Sequence, residues 1–159
     1  MGCKPSHFEV LTALAFAHFA HVKVDVMVVE AGLGGVTDAT NVFSASNLAA
    51  SVITTIDEEH LEALGGSIRS IAQAKAGIMK SGCANIVGQQ VLDDVSELLT
   101  CHANAVGATL LDAAEDISVF PVRTHVEGAD VWQECDIIHW APAGAPGLPE
   151  EETAALEHW

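Results

Sequence analysis

The segment from Val24 to Asn41 does more than any other to limit what this chain can fold into. A largely apolar, β-branched run, Val24 to Val29, ends on Glu30 and passes at once into Ala31-Gly-Leu-Gly-Gly-Val-Thr-Asp38-Ala39-Thr-Asn41. The run reads as a buried strand. A strand that stops on a carboxylate and a glycine turn presents that carboxylate at its carboxyl edge, where open parallel sheets hold their ligands. The glycines let the backbone adopt positive φ and approach another group closely. The short polar side chains of Asp38 and Asn41 are suited to closing the loop. The pattern points to an α/β chain with a site anchored on Glu30.

The flanking periodicity agrees. Ser6 with Glu9 three residues later has the form of a capping box, and Phe8, Leu11, Ala15, Phe19 and Val22 recur at helical spacing, which predicts a helix over about 6–22. Ala50 to Ile56 reads as a second buried strand. Ser67 is placed to cap a helix whose apolar stripe holds Ile68, Ile71, Ala72 and Lys75, and Gly77 is placed to stop it. A short strand around 85–87 and a helix over about 91–105 follow. This alternation predicts a partial parallel sheet with flanking helices. Regular structure is expected over residues 1–111, with a weaker continuation over 112–140. Residues 141–159, rich in Pro and Gly and then acidic from Glu150, form an irregular tail. We expect the chain beyond Asp112 to be largely disordered.

Composition narrows the partners. With 159 residues, half of them apolar, the chain can bury one core. A formal charge of −16 with only six Lys and Arg excludes the clustered cations that a nucleic-acid backbone or an anionic membrane requires. Any phosphate bound here is expected to need a metal ion. No apolar run approaches the ~20 residues that span a bilayer, and no targeting segment is visible at the start, so a cytoplasmic or mitochondrial protein is expected. The cysteines at 3, 83, 101 and 135 have no C-x-x-C spacing and are expected as free thiols.

Three side chains stand out as candidates for chemistry. Glu30 is either a ligand at a strand end or a carboxylate that caps the next turn. Asp57-Glu-Glu-His60 follows the second strand directly, so Glu30 and His60 would converge if the two strands were neighbours. A carboxylate with an imidazole suits a divalent ion that keeps part of its water and also holds phosphate oxygens; the alternative is an acidic helix start with a surface histidine. Lys75 lies seven residues after Ile68, about 20° away around an ideal helix, so it shares the apolar stripe. It is either a snorkelling side chain or a desolvated, nucleophilic amine able to take up carbon dioxide as a carbamate. His7, His18 and His21 share one face of the first helix, without a carboxylate, and read as a solvated face. Gly32-Leu-Gly34 is not a dinucleotide fingerprint, because Thr37 stands where the third glycine belongs and Asp38 would repel a pyrophosphate.

Taken in order, Phe8-Glu-Val-Leu-Thr-Ala-Leu-Ala-Phe, Val28-Val-Glu-Ala-Gly-Leu-Gly-Gly with Asp38-Ala-Thr-Asn, Glu59-His60 with Leu64-Gly65, and Ala74-Lys-Ala-Gly-Ile-Met-Lys80 closely resemble the folylpolyglutamate synthase and dihydrofolate synthase family of Mur-ligase-like enzymes. The resemblance runs from about Lys4 to Gln89, and Glu58-Glu59-His60 with the following Leu-Glu-Ala-Leu-Gly-Gly-Ser is most similar to plant-type dihydrofolate synthases. It implies a Mur-ligase-type central ATPase domain. ATP would phosphorylate a pteroate or folate carboxylate, and the amine of glutamate would attack the acyl phosphate. By matching position, the resemblance implies Glu30 and His60 as magnesium ligands, Lys75 as a carbamylated lysine, and Asp38 with Ala39 as pterin-contacting positions.

The chain also departs from that family. No G-x-x-x-x-G-K-[ST] phosphate loop occurs, the later His-Gln-x-x-Asn segment is absent, Val36 and Thr37 stand at the candidate positions of a glycine-loop arginine, and Asp57 stands where a glycine is usual. We expect a truncated dihydrofolate synthase, inactive alone. The alternatives are a folylpolyglutamate synthase fragment, or a non-catalytic remnant that acts by interaction.

Overall fold

The computed structural model describes residues 4–139. The expected 141–159 tail lies outside them. Helix α1 (His7–Val22) begins as its sequence predicts: the Ser6 hydroxyl accepts the Glu9 amide at 3.2 Å and the Glu9 carboxylate accepts the Ser6 amide at 2.6 Å. It ends on Lys23 in the left-handed conformation. His7, His18 and His21 are exposed on it.

Three short strands make the sheet: β1 (Ala50–Ile53), β2 (Ala84–Val87) and β3 (Thr109–Asp112), all parallel in the order β1-β2-β3. Parallel neighbours need crossovers, and here these are α2 (Ile68–Ala76) and α3 (Asp93–Val106). Ser67 and Ser70 cap the start of α2 reciprocally. Alternation sets the faces: Ser51 and Ile53 of β1 and Asn85 and Val87 of β2 point inward. There α2 and α3 pack together over the sheet, with Ile71, Ala72, Ala76, Val95, Leu98, Leu99 and Ala103 completing the core. Val52, on the opposite face, is 56% exposed.

One polar residue lies fully inside. Asn85 is 0% exposed, and its carbonyl oxygen accepts the Ser51 hydroxyl (2.7 Å) and the Lys80 amide (3.0 Å). Its amide donates to the carbonyls of Lys80, Cys83 and Thr109 at 2.8–3.1 Å. A buried amide is tolerable only when paired in this way, and here it ties all three strands together at their amino ends.

Two expectations are corrected. Val24 to Val29 is not a strand. A strand exists only with a paired neighbour, and none of the described strands pairs with this segment; Val26 and Val28 are 73% and 95% exposed. The chain beyond Asp112 is not wholly disordered either. Strands β4 (Ile117–Glu127) and β5 (Asp130–His139) form an antiparallel hairpin with an irregularity between Pro121 and Arg123. On it the His125 ring stacks on Trp132, with centroids 3.7 Å apart and planes 5° from parallel.

Candidate functional site

The segments that carry the residues singled out in the sequence touch one another at the glycine loop, residues 30–41. The loop holds its own shape through Asp38. One carboxylate oxygen accepts the Leu33 amide at 2.8 Å; the other accepts the amide and hydroxyl of Thr40 at 2.9 and 2.6 Å. Burial pushes the Asp38 carboxyl up, but the Thr40 hydroxyl and amide and the Leu33 and Gly32 amides outweigh it and leave the group below its ordinary value. Asn41 closes the loop as expected, its backbone amide donating to the Asp38 carbonyl at 3.0 Å.

The loop then locks onto the carboxyl end of α2. The Val36 amide donates to the Ala74 carbonyl at 2.9 Å, and the Asn41 side-chain amide donates to the Gly77 carbonyl at 3.2 Å. Two glycines make this approach possible. A Cβ on Gly35 would lie 2.7 Å from the Ala74 carbonyl oxygen, and one on Gly77 would lie 2.4 Å from the Val36 Cβ. The glycine loop and the Ala74-Lys-Ala-Gly motif, far apart in sequence, are therefore one packed unit that includes the backbone of Lys75. The Lys75 residue is half-buried at the rim of the Ile71–Ala76 core.

His60 enters from the third side. It stands at φ 58°, a left-handed conformation uncommon for a side-chain-bearing residue, and its carbonyl accepts the Ala63 and Leu64 amides at 3.0 Å each. The turn it starts delivers Leu64 against Gly34, where an added Cβ would lie 3.0 Å from the Leu64 side chain. The convergence of Glu30 and His60 through neighbouring strands does not occur, because the 24–29 segment is unpaired. The link between their two segments is the contact of Leu64 with the glycine loop. Glu30 and His60 are both exposed. Glu30 also lines a groove of about 240 Å³ with Phe8, Leu11 and Phe19 of α1, Val28 and Thr40.

Among the described residues, no three His, Cys, Asp or Glu side chains form a group that could hold a metal ion. An all-protein cage is thus not built here, and Asp38 is engaged within its loop. The exposed Glu30 carboxylate and His60 imidazole are of the donor type that fits a divalent ion retaining water and phosphate oxygens.

Sequence reasoning missed the carboxyl-edge hydrogen bonds that steady the His60 segment. The Gly88 amide donates to the Ile53 carbonyl at 2.8 Å and the Thr55 hydroxyl to the Gln89 carbonyl at 2.8 Å, while the Gln90 side chain bridges the chains leaving β1 and β2. The one signal that could have drawn attention to it is a pair of amide side chains, Gln89-Gln90, at the end of a strand.

Residues 5–128 match the family model described as the Mur ligase middle domain. The dihydrofolate synthase/folylpolyglutamate synthase of Mycobacterium tuberculosis is 42% identical over 131 residues, covering 79% of this chain and 26% of that protein. The folylpolyglutamate synthase of Lacticaseibacillus casei is 36% identical over 120 residues, covering 76% and 27%. A solved structure described as an FPGS-AMPPCP-folate complex superposes with a TM-score of 0.70 at 32% identity, covering 84% of this chain and 31% of that one. The chain spans about a quarter of the length of the two curated relatives.

Proposed function

From the premise that this chain belongs to the Mur ligase middle-domain family, in its folylpolyglutamate synthase and dihydrofolate synthase branch, we propose that it carries part of the site of an ATP-dependent amide ligase of folate metabolism. In the finer reading, ATP phosphorylates the carboxylate of dihydropteroate, and the glutamate amine displaces phosphate from the acyl phosphate to form the amide. The observation that carries the proposal is the interlock of the glycine loop with α2, the Val36 amide on the Ala74 carbonyl, which draws the family's separate motifs into one unit.

Within that unit, Glu30 and His60 would hold Mg2+. The ion would supply neutralisation of charge on the transferring phosphoryl group. Lys75, half-buried on α2, would act after its neutral amine adds to carbon dioxide and releases a proton, turning a cation into an anion at the same rim. Asp38 and Ala39 would face the pterin, with Asp38 keeping the loop in shape through its bonds to Leu33 and Thr40. The nucleotide analogue and folate in the description of the superposing structure support small-molecule substrates of these classes. No helix among the described residues is long and apolar enough to cross a membrane.

Residues 1–159 purified by themselves are expected to turn over little or no ATP, dihydropteroate and glutamate, because no G-x-x-x-x-G-K-[ST] cradle to stabilise phosphoryl charge lies within them. Titration with Mg-ATP tests the remaining site: weak binding that Glu30→Gln and His60→Ala each abolish supports the reading, and identical titrations of the variants and the parent chain refute it. Competition between dihydropteroate and folate separates dihydrofolate synthase from folylpolyglutamate synthase. A non-catalytic interaction role is favoured by one observation, the exposed apolar segment 24–29, and would show as oligomers without nucleotide binding.

A further inference from the structure

We propose that Gln90 is a positioning residue of this site, the clamp that sets where the His60 loop leaves the sheet; the inference deepens the ligase-site reading and rests on it. β1 and β2 stop pairing as strands at Ile53 and Val87, yet the two chains continue side by side. Besides the Gly88–Ile53 and Thr55–Gln89 bonds, they are held there by a side chain imitating a peptide group. Gln90 Nε2 donates to the Gly88 carbonyl at 2.7 Å and the Thr54 carbonyl at 3.2 Å, and Oε1 accepts the Ile56 amide at 3.0 Å. Both amide hydrogens are used, and the orientation is forced, since the flipped amide would set a donor against the Ile56 N–H and an acceptor against two carbonyls.

The position matters more than the number of bonds. Ile56 is buried in the core, and Asp57 to His60 are all exposed. Ile56 is thus the last fixed point before the loop, and Gln90 fixes its backbone. The loop's other fixed point is Leu64 against Gly34. Between these two anchors His60 adopts its positive φ. Releasing the Gln90 anchor would loosen the backbone from Ile56 to His60 while leaving the Thr55 hydroxyl on the Gln89 carbonyl, the Ile56 side chain in the core and the amino-edge hub at Asn85 in place.

The test uses the full chain, labelled for NMR, with Gln90→Leu as the main variant. Gln90→Glu, which keeps the acceptor for Ile56, serves as the second. Three readouts are taken: amide exchange at Ile56 against Asn85, the backbone coupling of His60, and Mn2+ broadening of the Glu30 and His60 side-chain signals. The proposal expects Ile56 to exchange at least tenfold faster in Gln90→Leu with Asn85 unchanged, a shifted His60 coupling, and several-fold more Mn2+ needed for the same broadening. Equal acceleration at Ile56 and Asn85 would mark a merely stabilising residue and overturn it, as would an unchanged His60 coupling. If Gln90→Leu does not fold, Gln90→Glu decides on the same readouts, and failure of both to fold counts against the proposal. If the parent chain shows no Mn2+ response, the ligase-site reading falls, and the exchange and coupling readouts alone decide the clamp.

Discussion

Two buried or half-buried polar side chains, Asp38 and Asn85, carry the local architecture, and they respond differently to change. Asp38 accepts three loop hydrogen bonds as an anion, so its folded form resists protonation. A depressed carboxyl contributes stability that is complete above its ordinary value of 3.8 and is lost as pH falls through the lower folded value. Exchange protection of the Leu33 and Thr40 amides should therefore hold at pH 5 and decline only below about pH 3.8. Asp38→Asn presents an amide donor to one of those N–H groups. It should cost about 1–3 kcal/mol in urea unfolding at neutral pH and remove this acid transition. Asn85→Leu leaves a hydroxyl, an amide and three carbonyls without their partner. At about 1–3 kcal/mol per buried group left unpaired, the loss should exceed roughly 3 kcal/mol, and circular dichroism should show a chain close to unfolding. The two residues also differ in legibility. Asp38 sits in a turn whose closure is local and can be read from its neighbours. Asn85 looked like an ordinary member of a short strand, because Ser51 and Thr109 become its partners only when the sheet forms.

At the level of elements, local chemistry and the parallel αβ alternation were readable, but which apolar run would find a pairing partner was not. The capping box of α1, the Ser67 start and Gly77 stop of α2, and the extent of β2 and α3 all depend on residues within a turn or two of each other. The 24–29 segment failed as a strand because an apolar, β-branched run states a preference, whereas a ladder requires a second backbone. The β4–β5 hairpin went unread for the opposite reason. Pro121 and the charged residues of both strands weaken the pattern, and an antiparallel partner two residues away compensates. Glu30, His60 and Lys75 could be picked out because each sits against its local pattern, a carboxylate after a strand-like run, an imidazole after a strand, and a cation on an apolar stripe. Gly77→Ala separates local preference from packing. Gly77 has φ −62°, where alanine alone would gain about 0.5–1 kcal/mol. Its Cβ would collide with Val36, so the expected result is a lower urea midpoint and faster exchange of the Val36 amide.

For the molecule as a whole, apolar surface and charge oppose each other. Thr12 is the only buried residue of α1, and Val26 and Val28 face solvent, while the chain carries a net charge of −16. Repulsion between copies is screened beyond about 8 Å at physiological salt, and apolar attraction is not. Association measured by sedimentation should therefore increase with both protein and salt concentration, and Val26→Lys with Val28→Lys should suppress it without lowering the melting temperature. The two sheets also differ in how far apart in sequence their partners lie. β4 and β5 are joined by a tight turn and need no other element, so this hairpin should zip within about 1–10 μs. β1, β2 and β3 cannot meet until α2 and α3 have closed crossovers of roughly thirty and roughly twenty residues, a contact order at which parallel pairing is slow. Because the glycine loop docks on α2 and the His60 segment departs from β1, the candidate site belongs wholly to the late-forming half. Kinetic refolding should show native-like hairpin signals well before the loop's amides gain protection.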